Sequence, residues 1–223
     1  MSSITQLYDS LTDRLRSAGD WIAPLGLRFL LAYEFYSAGM MKAGVEGVPN
    51  WFANKGFPLP FDWFPAAMNW HMLSITEIAA SLALLFGLFT RFFAFSLVVV
   101  TTVAIASTHW PESWSSLSQL WEGYSVSRVV EDGEFRGNFR VPMLFIAMLL
   151  PLVFMGGGKL SVDHLLLKLT QRADLVHERN NDFLALALAL LIPGIILLYL
   201  IPVWGVILLL AAIAAGVYHQ VRS

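Results

Sequence analysis

The sequence predicts an all-α fold, a polytopic bundle of membrane-spanning helices. Three observations carry this. Of 223 residues, 57% are hydrophobic and 13% charged, about half the roughly 25% charge of an average soluble domain. A bilayer core of about 30 Å needs about 20 apolar residues at 1.5 Å each, and six stretches qualify or nearly do: 22–41, 71–89, 92–109, 139–157, 183–200 and 203–219. Inside them the charged residues are Arg28, Glu34 and Glu77, with Arg140 at an edge.

Composition also excludes functions. A net charge of −2 with no basic run argues against nucleic acid as a partner. Zero cysteines exclude disulfides, thiolate metal sites and a thiol nucleophile. No HExxH or paired-histidine signature supports a catalytic metal. Met68, His71 and Met72, with Met40 and Met41 nearby, have donors suited to Cu(I), but methionine is also common filler in apolar helices. No metal site is assigned.

The elements follow in order. Residues 1–21 form no cleavable signal. Ile4, Leu7, Leu11 and Leu15 recur at helical spacing beside Arg14 and Arg16, which predicts an amphipathic helix on the membrane surface. Residues 22–166 hold four spans. Two outer loops interrupt them, at 42–70 and 110–138. The first carries Trp51, Phe52, Phe57, Trp63 and Trp70 among four prolines. In the second, Trp110, Trp114, Leu117, Trp121 and Tyr124 are spaced to form one stripe on a helix. Interfacial anchoring and a lid over a cavity both account for such loops. Ser161 is placed to cap a surface helix at 162–172, and Asp163 in its first turn favours the helix dipole. A cytoplasmic connector at 167–182 leads to a hairpin at 183–219. That apolar run is too long for one crossing, and a turn at Pro202 divides it. Ala212 and Ala215 in the last span offer small side chains for packing against another subunit. Eight Lys/Arg on the side of the amino terminus against five opposite favour a cytoplasmic amino terminus.

A charge near the bilayer centre costs about 2.5–3.5 kcal/mol. Glu34 lies about 18 Å above the inner end of span one, and Glu77 about 9 Å below the outer end of span two. In a core of about 30 Å these depths nearly coincide. The two carboxyls are therefore expected to meet if their helices face each other, with Arg28 rising toward Glu77. One reading is a buried Arg–carboxylate pair fixing register. The other is a proton-handling site, since two close carboxyls do not easily both ionise. Glu34, Glu77 and Arg28 are the candidate catalytic residues. Lys42, His109 and Arg140 at span ends, with Trp51 in the loop, are candidates for holding an anionic or quinone headgroup.

The ordered series Arg28, Gly39-x-x-Lys42, Gly56-Phe57-Pro58, Glu77, Gly87-Leu88-x-Thr90-Arg91 and Gly156-Gly157-Gly158-Lys159-Leu160-Ser161-Val162-Asp163 resembles the DoxX/DoxD family of bacterial membrane proteins. The resemblance covers roughly residues 22–166 and implies a four-helix membrane core, here followed by a carboxy-terminal pair of spans. It implies an inner-membrane protein that serves as a subunit or accessory of a quinone-linked redox system. The alternative it implies is a non-enzymatic accessory or carrier for metal-peptide maturation or small-solute export. No covalent cofactor is implied; quinone is the ligand expected. The chain has no haem pair, flavin fold or nicotinamide fingerprint, so the electron source would be a redox partner protein in a larger complex.

Overall fold

The computed structural model describes residues 3–111, 114–125, 129–131, 134–136, 138–172 and 182–222. Nine α-helices are described: α1 (Ser3–Ala43), α2 (Asn50–Ala53), α3 (Ala66–Phe86), α4 (Thr90–Ala104), α5 (Leu117–Ser125), α6 (Arg140–Met155), α7 (Val162–Leu169), α8 (Phe183–Leu200) and α9 (Pro202–Arg222). The other elements are a 3₁₀ turn at Phe61–Trp63, a π-helical turn at Ile105–His109, and a small ribbon in which β1 (Val129–Glu131) pairs antiparallel with β2 (Glu134–Arg136). The all-α membrane bundle expected from the sequence is the observed class. Thr90–His109, Phe183–Leu200 and Pro202–Val221 are each long and apolar enough to cross a bilayer, and Arg140–Met155 is shorter. Most of the connector at 167–182, and the acids Glu112 and Asp132 of the second outer loop, lie outside the described residues.

The chain forms two compact units. The first comprises Met1–Glu46, His71–Leu97 and Ala147–Leu175, the second Gly47–Trp70, Val98–Ile146 and Val176–Ser223.

In the first unit, α1 is one continuous helix, with no break at residue 21 between the amphipathic segment and span one. Pro24 lies inside it. Proline has no N–H, so the carbonyl four residues earlier loses its helical donor. That carbonyl belongs to Asp20, and it accepts the Lys159 N–H at 3.1 Å. Gly158, at φ +75°, makes this approach possible: a Cβ there would stand 2.7 Å from the same carbonyl oxygen. Further along, Leu31, Ala32, Phe35 and Gly39 form the buried stripe of α1. At Gly39 a Cβ would come within 2.7 Å of Ile78 and 3.1 Å of the Glu77 Cβ. Glycine thus lets α1 and α3 approach closely, and the Ser74 hydroxyl donates to the Gly39 carbonyl at 3.0 Å.

In the second unit, α8 and α9 form the expected hairpin, turning at Ile201 and Pro202. Asp182 caps α8 by accepting the Ala185 N–H at 2.9 Å. Gly194 admits Leu209, and Phe183 stacks edge-on against Tyr218 at 4.5 Å. Ala212 and Ala215 are buried within the chain, so they are not free to meet another subunit as expected. The stripe expected from Trp110 to Tyr124 is helical only from Leu117, so Trp110 and Trp114 precede the helix.

Candidate functional site

The charged residues of the first two spans occupy three different settings. Arg28 is 2% exposed. Its guanidinium donates to four backbone carbonyls: Leu84 at 2.7 Å, Leu85 at 2.8 Å, Gly157 at 2.9 Å and Leu160 at 2.6 Å. Leu84 and Leu85 lie in the last turn of α3, whose carbonyls carry the negative end of the dipole; the Leu84 carbonyl also accepts the Gly87 N–H at 3.0 Å. Arg28 therefore closes α3 and ties it to the 156–160 turn. The expectation that it rises toward Glu77 is not met, because these carbonyls offer its fork of donors more acceptors than one carboxylate does.

Around Arg28 the glycine and Asp163 motifs interlock. Gly87, at φ +67°, ends α3, and a Cβ there would stand 2.8 Å from the Arg28 guanidinium carbon. The Asp163 carboxylate accepts the N–H groups of Phe89 at 2.7 Å and Thr90 at 2.8 Å, capping the start of α4. Its own N–H donates to the Gly87 carbonyl at 2.9 Å. Ser161 caps α7 as expected, accepting the His164 N–H at 3.1 Å. Asp163 thus serves another helix's N-terminus as well as its own first turn.

Glu77 is buried, and its partner is Lys42. The ammonium lies 2.8 Å from Oε2 and 3.1 Å from Oε1, and it also donates to the Ala38 carbonyl at 3.3 Å. Gly39 and Lys42, three residues apart, share the face of α1 that meets α3. Glu34 is exposed and does not meet Glu77. Glu34 lies about 120° around the helix from Arg28's side, and that side is the one packed on α3. The shared-proton pair of carboxyls is accordingly absent. Tyr33, Tyr36 and Ser37 are exposed as well.

The remaining candidates lie in the second unit. Trp51 is 56% exposed and packs edge-on against Phe52 at 5.7 Å and Trp70 at 6.2 Å. Arg140 lies 5.6 Å from the Tyr124 ring centre and donates to the Ser125 carbonyl at 3.3 Å. His109 Nδ1 accepts the Asn138 N–H at 3.2 Å, so the neutral ring carries its proton on Nε2. Beside it opens a cleft of about 550 Å³, lined by Trp51, Asn54, Lys55, Ser107, Thr108 and Trp110 among others. That volume falls within the range of small-molecule sites, roughly 300–1,000 Å³. The π-helical turn at the end of α4 provides Ser107 and Thr108, and such turns often mark functional sites. Among the described residues the buried Trp110 indole nitrogen has no hydrogen-bond partner. Sequence reasoning reached Trp51 but missed Lys55, Ser107, Thr108 and Trp110 as a group, since no periodicity links the loop to the end of α4.

Comparison with known proteins bears on these motifs. The DoxX family model matches residues 23–110. An uncharacterized protein of Haemophilus influenzae is 34% identical over 157 residues, covering 70% of this chain and 90% of that protein. The chain belongs to the DoxX family. No solved structure matches it. Within the first unit of this DoxX protein the motif residues sort by position. Arg28, Gly87, Thr90, Gly156, Gly157, Gly158, Ser161 and Asp163 form the latch at one end of α3. Lys42 and Glu77 form the ion pair nearer the other, where Gly39 lets the helices approach.

Proposed function

We propose that this DoxX membrane protein is the inner-membrane subunit or accessory of a quinone-linked redox system, with its amino terminus in the cytoplasm. The cleft of the second unit is the quinone headgroup site. One observation carries the reading: Trp110, whose buried indole N–H has no acceptor among the described residues, lines a cleft together with Trp51 and Lys55. An unpaired buried donor costs about 1–3 kcal/mol, and a carbonyl oxygen of a flat ring would satisfy it. Trp51 offers a face for stacking, Lys55 an ammonium for a second oxygen, and Ser107 and Thr108 hydroxyls for orientation. A quinone held there supplies two-electron, two-proton chemistry, with electrons arriving from a partner protein. The chain's own residues bind and orient the ring, and Lys55 holds charge beside the oxygen that gains it.

The test is a quinone titration of the purified protein in nanodiscs, followed by tryptophan quenching. Saturable quenching is expected, with affinity at least about tenfold weaker in Trp110→Phe and Lys55→Ala, equivalent to about 1.4 kcal/mol. Absence of saturable binding, with and without the partner, would end the reading.

A further inference from the structure

The outward side of α1 presents a mixed stripe of small, apolar and hydroxyl-bearing residues beside one carboxylate. Gly26, Leu30, Tyr33, Ser37 and Met40 are exposed at successive steps of four, three, four and three, the spacing of a seam between two helices. Glu34 flanks that seam. Among the described residues Glu34 has no ion pair or hydrogen bond. Both cations in the membrane part of its helix are committed elsewhere, Arg28 to four carbonyls and Lys42 to Glu77. With span one taken as residues 22–41 from the hydropathy pattern, Glu34 lies twelve residues from its inner end, near mid-depth. A carboxylate turned to hydrocarbon at that depth is disfavoured and calls for a partner. At Gly26 a Cβ would find nothing within 4 Å, which leaves room for a second backbone to come close.

We infer that the Gly26, Leu30, Tyr33, Ser37 and Met40 face docks a transmembrane helix of another protein, one that carries a Lys or Arg at the depth of Glu34. Charge decides the occupant. A second copy would set Glu34 against Glu34, whereas a basic helix neutralises it, with Tyr33 and Ser37 as flanking hydrogen-bond groups. The inference does not depend on quinone binding.

The chain has no native cysteine, so single-site labelling is clean. Ser10→Cys is labelled with a donor dye and the full chain is reconstituted in vesicles. The probes are acceptor-labelled Leu/Ala transmembrane peptides, one with a central Lys and one with Leu in its place. Saturable energy transfer is expected for the Lys peptide, at least about tenfold stronger than for the Leu peptide. It is expected to vanish in Glu34→Leu and to persist in Glu46→Leu. Equal transfer to both peptides, or transfer indifferent to Glu34→Leu, would overturn the inference. Glu34→Gln serves as a second variant, with an unchanged Tm expected because the side chain is exposed. Oxidation of Ser37→Cys in native membranes is expected to give no disulfide-linked dimer. A dimer there would overturn the inference in favour of a second copy.

Discussion

The two ends of the α1–α3 contact bury charge in different ways. At Arg28 the acceptors are four main-chain carbonyls; at Lys42 the acceptors are mainly the oxygens of one side chain, Glu77. Main-chain acceptors cannot be mutated away, so the latch has no swap that removes both partners. The ion pair does, and replacing a buried pair by apolar residues of similar volume is often neutral or stabilising. The lesson is that equal burial does not mean equal replaceability.

Four substitutions sharpen or break this contrast. Arg28→Ala removes four hydrogen bonds, two to the last turn of α3 and two to the 156–160 turn. A loss on the order of 4 kcal/mol is expected, read as failure to purify or a steep drop in Tm. Wild-type Tm in Arg28→Ala would show that the latch is idle. Glu77→Gln strands the Lys42 ammonium and is expected to cost about 3 kcal/mol, while the Lys42→Met, Glu77→Leu double variant returns to within about 1 kcal/mol of wild type. A double variant as weak as the single one would refute the claim of replaceability. Gly87→Ala forces a Cβ at positive φ against Ser161 and Arg28 and should cost about 2 kcal/mol, seen in the same melting assay. Asp163→Asn removes a charge and one acceptor from the start of α4 and should cost about 1 kcal/mol. Hydrogen exchange at the Phe89 and Thr90 amides would rise with it; unchanged protection there would show that the cap does not depend on the charge.

How much of this was legible in the sequence depended on the kind of information each feature requires. The spans at Thr90–His109, Phe183–Leu200 and Pro202–Val221 follow from hydropathy and length, and Pro202 marked the hairpin turn by its lack of a donor. The face on which Glu34 lies did not follow, because which side of α1 packs is set by Gly39, where the helices approach closely. That glycine, three residues before Lys42, was the available signal for the Lys42–Glu77 pair. Arg28 was recognised as a buried charge needing an account. Its partners were hidden because carbonyl oxygens occur at every position and leave no trace in residue type. The cleft was hidden for another reason: its walls come from residues about fifty positions apart.

The latch also has a consequence for biogenesis. Arg28 enters the membrane with the first span, and two of its four acceptors are reached when the end of α3 has been made. The other two arrive only with residues 157 and 160, and Asp163 follows three residues later to cap the start of α4. A nascent chain halted at the end of α6, before residue 157, therefore carries a half-satisfied guanidinium in its first helix. Ribosome-stalled intermediates on either side of residue 163 should differ sharply in protease resistance, making the glycine turn the point at which the core closes.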